Sequence, residues 1–143
     1  MDMRVAAYAV VTDADDRVLL AHWIDGRRGA WTLPGGGLED GEDPAHAVRR
    51  EVREETGFRV VVDDLLGIHS RVIPAEARLA GGATGPLHAL RIVYRARVVG
   101  GRLRFETDGS TDRAEWFTLA ATRKLRRVQL VDVALRMAGL LGS

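Results

Sequence analysis

Cysteine is absent from the 143 residues, which excludes disulfides, zinc ribbons, iron–sulfur clusters and thiol nucleophiles. Any metal must therefore be held by oxygen or imidazole. A charge surplus is missing too: 21 basic and 20 acidic side chains leave a formal +1, whereas a nucleic-acid or membrane-surface binder normally carries a clear positive excess. The N-terminal apolar run, Val5 to Val11, is far shorter than the ~18 residues of a spanning helix, and no signal-peptide cleavage pattern accompanies it. The expectation is a cytoplasmic protein with no nucleic-acid and no membrane partner. Lysine is nearly absent, with Lys124 alone against 20 arginines, and nothing functional follows from that bias.

What is present is the balance of a globular chain, 46% hydrophobic and 29% charged, of a length suited to one domain over 1–143. Val5 to Val11 and Val18 to His22 flank the turn cluster Asp13 to Arg17 and read as a hairpin. Ala30 to Leu33 reads as a short strand, stopped by a permissive loop at Pro34-Gly35-Gly36-Gly37. Asp43-Pro44 is a helix start, with Asp as N-cap and Pro at the first position, and Gly57 closes the helix after Thr56. Phe58 to Val62 and Leu65 to Ile73 read as strands, Pro74 to Pro86 as a long loop, and Leu87 to Glu106 as a hairpin turning at Gly100-Gly101. Trp116 to Leu119 reads as a strand and Val128 to Leu141 as a helix. This order predicts an α/β fold with helices packed on a mixed sheet.

Five of the eight glutamates (Glu39, Glu42, Glu51, Glu54, Glu55) fall within seventeen residues. On a helical wheel Val48, Val52 and Ala45 form the packing stripe, and Glu51, Glu54 and Glu55 occupy the next ~100°, with Glu55 only about 20° from Val48. Arg49, Arg53, His46 and Arg50 fill most of the far side. Carboxylates segregated in this way repel one another and resist burial unless a cation sits against them. Oxygen donors without sulfur suit Mg²⁺ or Mn²⁺, and the glycines beforehand allow a Gly35 or Gly36 carbonyl to approach the same ion. The alternative is a solvated acidic face partly neutralised by Arg50.

Gly36, five residues, Glu42, seven residues, and then Arg50-Glu51-Val52-Arg53-Glu54-Glu55-Thr56-Gly57-Phe58 resembles the Nudix box without a gap. Seven fixed residue types would coincide by chance on the order of 10⁻⁸ per start site. The resemblance covers 23 residues and implies an α/β/α sandwich around a mixed sheet, with Mg²⁺-dependent attack of water on a diphosphate linkage in a nucleoside diphosphate joined to another group. It further implies that Glu51, Glu54 and Glu55 bind metal with Gly35 or Gly36, that Arg50 orients a catalytic glutamate (Glu51 or Glu54), and that Gly36, Glu42 and Gly57 are structural. The expected partner is a small nucleotide, with a homodimer left open.

Family members often add an acid from beyond the box, for which Glu106, Asp108, Asp112 and Glu115 are the candidates. The expected Gly100-Gly101 turn places Arg95 opposite Glu106, which offers that residue a plain ion pair instead. Arg91, Arg95, Arg97, Arg102 and Arg104 share a face that is either solvated or steers a polyphosphate. Trp31 and Trp116 are expected in the core, whereas Trp23, beside Arg27 and Arg28, is the candidate ligand contact. Pro74 stands sixteen residues past the box, where the family's ADP-ribose hydrolases carry a proline. Sugar nucleotides of the ADP-ribose kind are therefore the first substrate class. Nucleoside triphosphates, oxidised ones included, come second, and a non-catalytic binding domain is the reading from another class.

Overall fold

The computed structural model describes residues 1–24, 28–78, 85–104, 109 and 111–141. Its strands are β1 (Asp2–Val11), β2 (Val18–Trp23), β3 (Ala30–Thr32), β4 (Gly35–Gly37), β5 (Phe58–Ile73), β6 (Leu87–Gly101) and β7 (Thr111–Phe117). The helices are α1 (Pro44–Thr56), α2 (Leu119–Thr122) and α3 (Gln129–Met137), with a 3₁₀ turn at Ala75–Ala77. A mixed sheet, ordered β4-β1-β6-β5, contains the parallel pair β1/β6, and a smaller antiparallel sheet is ordered β3-β2-β7. This is the expected mixed α/β architecture.

Alternation along β1 and β6 assigns the helices to opposite sides. Ala7, Ala9, Val11 and Ala96 pack with Ala47, Val48 and Val52 of α1, whereas Val10 and Val93 pack with Leu130, Val131, Ala134 and Leu135 of α3. Val48 and Val52 are fully buried, each contributing on the order of 1.5–3 kcal/mol. Ala47 takes the place in the stripe expected of Ala45, which is only half-buried.

Several local expectations are corrected, four of them in how strands pair and turn. The Asp13 side chain does build the first turn, accepting from the Asp15 and Arg17 N–H groups at 3.0 and 2.9 Å, and the turn closes on a single antiparallel bridge, Thr12 with Val18, but it then carries the chain from one sheet to the other and the hairpin extends no further among the described residues. The glycines expected to be a loop form β4, in register Ala7 with Gly36 and Tyr8 with Gly35. Only glycine fits at Gly35, where φ is +150° and a Cβ would collide with Ala7 O and Tyr8 Cα. The two strands expected between Phe58 and Ile73 are one strand with register shifts.

The fourth correction concerns Gly100-Gly101. These residues end β6 opposite Arg59 and Phe58, so β6 pairs with β5 and no turn forms there. Arg95 accordingly lies opposite Asp64, which removes the pairing with Glu106 expected from a turn at Gly100-Gly101. The C-terminal helix is shorter than expected, Gln129–Met137, and Leu119 begins α2 where a strand was expected to continue.

Candidate active site

Both caps of α1 are set locally. Asp43 Oδ1 accepts from Ala45 N at 2.8 Å with Pro44 following, and Gly57, at φ 82°, donates its N–H to Arg53 O at 2.9 Å. With both ends fixed, the inward face delivers Glu55 into the protein, where it is only 3% exposed. Its Oε1 accepts the Gly35 N–H at 2.8 Å, which joins helix to glycine strand. One residue on, Gly36 lies against Glu51: a Cβ at Gly36 would stand 2.8 Å from Glu51 Cδ. The glycines thus form a cradle that any side chain would fill.

Arg50 organises the remaining carboxylates. It forks onto Glu42, with Nε to Oε2 at 2.8 Å and Nη2 to Oε1 at 2.9 Å, while Nη1 reaches Glu51 at 3.1 Å and Glu54 at 3.3 Å. Nη2 also donates to Gly37 O at 3.2 Å. The Arg50 hydrogen bonds, aided by the Glu39 N–H, hold Glu42 well below the usual carboxylate range, and in return Glu42 pushes Arg50 up. Among the described residues no three acidic or imidazole groups already converge as a metal cage, because Arg50 Nη1 bridges Glu51 and Glu54. The donor set, carboxylates beside backbone oxygens with no sulfur, nevertheless fits a hard divalent cation.

A cleft of about 880 Å³ opens beside Glu51, Glu55 and Gly35–Gly37, within the range of small-molecule sites. Trp23, the residue singled out as a candidate ligand contact, is among its lining residues, and so are Arg4, Arg71, Arg78 and Arg91. Of these only Arg91 was singled out by sequence, as one of a row along an expected hairpin. Trp31 is buried and Trp116 packs on the core, as expected.

Other candidates lie elsewhere. Arg28 is exposed, and Pro74, also exposed, precedes the 3₁₀ turn that leads to Arg78. Asp112 pairs with His22 Nδ1 at 2.7 Å and Glu115 with Arg113 at 3.6 Å, and neither lines the cleft. Arg27, Glu106 and Asp108 fall outside the described residues.

The profile of the NUDIX domain matches residues 2–134. An ADP-ribose pyrophosphatase from Methanocaldococcus jannaschii is 34% identical over 116 residues, covering 80% of this chain and 62% of its own length. An 8-oxo-dGDP phosphatase from Homo sapiens is 34% identical over 112 residues, 76% of this chain and 30% of its own. The chain therefore spans less than two thirds of either relative. Among solved structures, a NUDIX hydrolase from Nitrosomonas europaea superposes with a TM-score of 0.79 at 27% identity, covering 96% of this chain and 89% of that one.

Proposed function

The chain belongs to the NUDIX family and is a Nudix hydrolase, and from that premise we propose that residues 1–143 act as one domain that hydrolyses a diphosphate linkage in a nucleoside diphosphate joined to another group. The observation that carries this reading is that α1 sets Glu51 and Glu55 against a glycine strand in the wall of the cleft, with Arg50 tying the more exposed Glu54 to Glu51. A small nucleotide is the partner, and a cytoplasmic location belongs to the same proposal.

Enzymes of this family use divalent metal ions. In this chain Glu51, Glu54 and Glu55 would hold the ion, Mg²⁺ or Mn²⁺, with the Gly35 or Gly36 carbonyl as a further oxygen. When bound, such an ion draws charge from phosphoryl oxygens and lowers the pKa of water at the site. The chain's own groups do the rest. Glu51 or Glu54 takes one proton from the attacking water while Arg50 fixes both carboxylates. The water oxygen bonds to phosphorus, the bridging P–O bond breaks, and the departing phosphate keeps the electron pair. Glu42 locks Arg50 from behind, and Trp23 offers an aromatic face to a base.

ADP-ribose and related sugar nucleotides are the first substrate class, supported by the archaeal relative's name and by Pro74 at the approach to Arg78. Nucleoside triphosphates, oxidised ones included, are the second, favoured by the arginines that line the same cleft as Glu51 and Glu55. The complete carboxylate set counts against a purely binding domain.

The test is Glu54→Gln at an exposed position, 48% accessible. Mg²⁺-dependent turnover should fall by at least about 100-fold while the melting midpoint stays in place; unchanged turnover rejects these assignments.

A further inference from the structure

The cleft separates charge by position. Two of the carboxylates that line it, Glu51 and Glu55, face Gly35 and Gly36, while a third, Asp2, is taken up by Arg78; the residue after Gly36, Gly37, already lies against Arg4, whose Nη2 stands 3.4 Å from where a Cβ would be. Beyond it the sheet register lines up further arginines on the same face. Arg4 of β1 and Arg71 of β5 flank Ala89 of β6, and in the next row Arg91 lies between Ala6 and His69. The alanines leave the floor between the guanidinium groups low.

These charges are not neutralised from within. Arg78 is paired with Asp2 at 2.8 Å, but Arg4, Arg71 and Arg91 have no carboxylate partner among the described residues. Arg91 donates instead to His69 Nδ1 at 3.1 Å. Burial, then the charges of Arg91 and Arg71, lowers the His69 pKa, so the ring is neutral and orients Arg91 without cancelling its charge. A half-buried arginine facing two others is costly unless an anion completes the group.

We propose that Arg4, Arg71 and Arg91 form a subsite for a third phosphoryl group, beyond the diphosphate that is hydrolysed. This rests on the hydrolase reading above and narrows it. The preferred substrates then carry three phosphoryl groups, in a triphosphate chain or with the third on a sugar beyond the diphosphate, which moves nucleoside triphosphates ahead of ADP-ribose, the class placed first on the relative's name and Pro74 alone. A nucleoside diphosphate joined to a neutral sugar leaves the subsite empty.

Binding without chemistry is the test. With EDTA present, calorimetry compares inorganic tripolyphosphate and pyrophosphate on the wild type, Arg71→Gln, Arg91→Gln and Arg49→Gln. Arg49 is exposed on α1 away from the cleft and serves as an equal-charge control. Tripolyphosphate should bind the wild type at least about tenfold more tightly than pyrophosphate. That advantage should shrink toward parity in Arg71→Gln and Arg91→Gln and persist in Arg49→Gln. Because Arg71 is exposed, its variant retains the fold even if Arg91→Gln does not.

With Mg²⁺ added, the kcat/KM ratio of nucleoside triphosphate to ADP-ribose should fall about tenfold in the same two variants. If a sugar nucleotide phosphorylated on its far sugar shows the larger loss, that phosphate is the occupant; either source supports the subsite. Parity of the two polyphosphates on the wild type, or an equal advantage in all four proteins, overturns it. No turnover on any nucleotide, with the polyphosphate preference intact, would reject the hydrolase reading and leave the subsite standing. Turnover without an arginine-dependent preference would do the reverse.

Discussion

Gly36→Ala separates the site from the fold more sharply than removing a carboxylate does. A Cβ at Gly36 would sit 2.8 Å from Glu51 Cδ and 2.9 Å from both carboxylate oxygens. Ordinary carbon contact begins near ~3.5 Å, so the carboxylate must retreat by about 0.7 Å. It is the end of a flexible side chain, and the retreat costs about 0.5–1.5 kcal/mol of rotamer strain. Against this, alanine stabilises by about 0.4–1 kcal/mol through the unfolded chain where the backbone tolerates it. Gly36 lies outside the positive-φ glycines, so that gain applies.

The two effects nearly cancel, and the melting midpoint should move by no more than about 4 °C. Activity has no such compensation, because misplacing a reacting group by ~1 Å costs on the order of 100-fold. Mg²⁺-dependent kcat/KM should therefore drop roughly 10- to 100-fold with the fold intact, read by product assay and thermal melt on one preparation. Full turnover in Gly36→Ala would refute the placement of Glu51 at the reacting centre. A collapse of the melt would show that the glycine serves the sheet and not the carboxylate.

Three further outcomes follow from the same contacts. Glu55→Gln keeps an oxygen for the Gly35 N–H and should lose turnover by at least about 100-fold with the melt little changed; a large loss of stability with turnover preserved would make Glu55 structural. Gly57→Ala places an L side chain at φ 82° with its Cβ against Arg102 O, costing about 1–3 kcal/mol, seen as a lower urea midpoint at unchanged slope. Glu42, depressed by Arg50, stabilises the fold fully above its ordinary value of 4.5, and the contribution fades as pH falls below it. Glu42→Gln should therefore flatten the acid limb of the stability–pH curve, and curves that stay parallel would contradict the Arg50 pairing.

How much of this was legible beforehand depended on whether the cause was local. Helix α1 was, because Asp43, Pro44 and Gly57 each act within a few residues of themselves, and the glutamate spacing placed Glu55 beside the buried stripe. The glycine strand was not. Three glycines have no β preference of their own, and Gly35–Gly37 is a strand because β1 accepts it at the sheet edge. Gly100-Gly101 carried a genuine turn signal that tertiary structure overrode, since Gly101 packs beneath Gly57 O at the end of α1. The arginine wall had no signal at all in spacing: Arg4, Arg71 and Arg91 come from three strands, assembled by the parallel β1/β6 pair and the β5/β6 register. An arginine inside the apolar stretch Leu90 to Val93 was the one available hint.

The central claim is tested most directly by incubating the protein with ADP-ribose, nucleoside triphosphates and oxidised nucleotides in ¹⁸O-labelled water, with Mg²⁺ or with EDTA, and weighing the products. The account predicts cleavage of a phosphoanhydride bond only when the cation is present, with one labelled oxygen in one of the two phosphate products. Cleavage undiminished by EDTA, or no cleavage of any of these nucleotides with Mg²⁺, would contradict it.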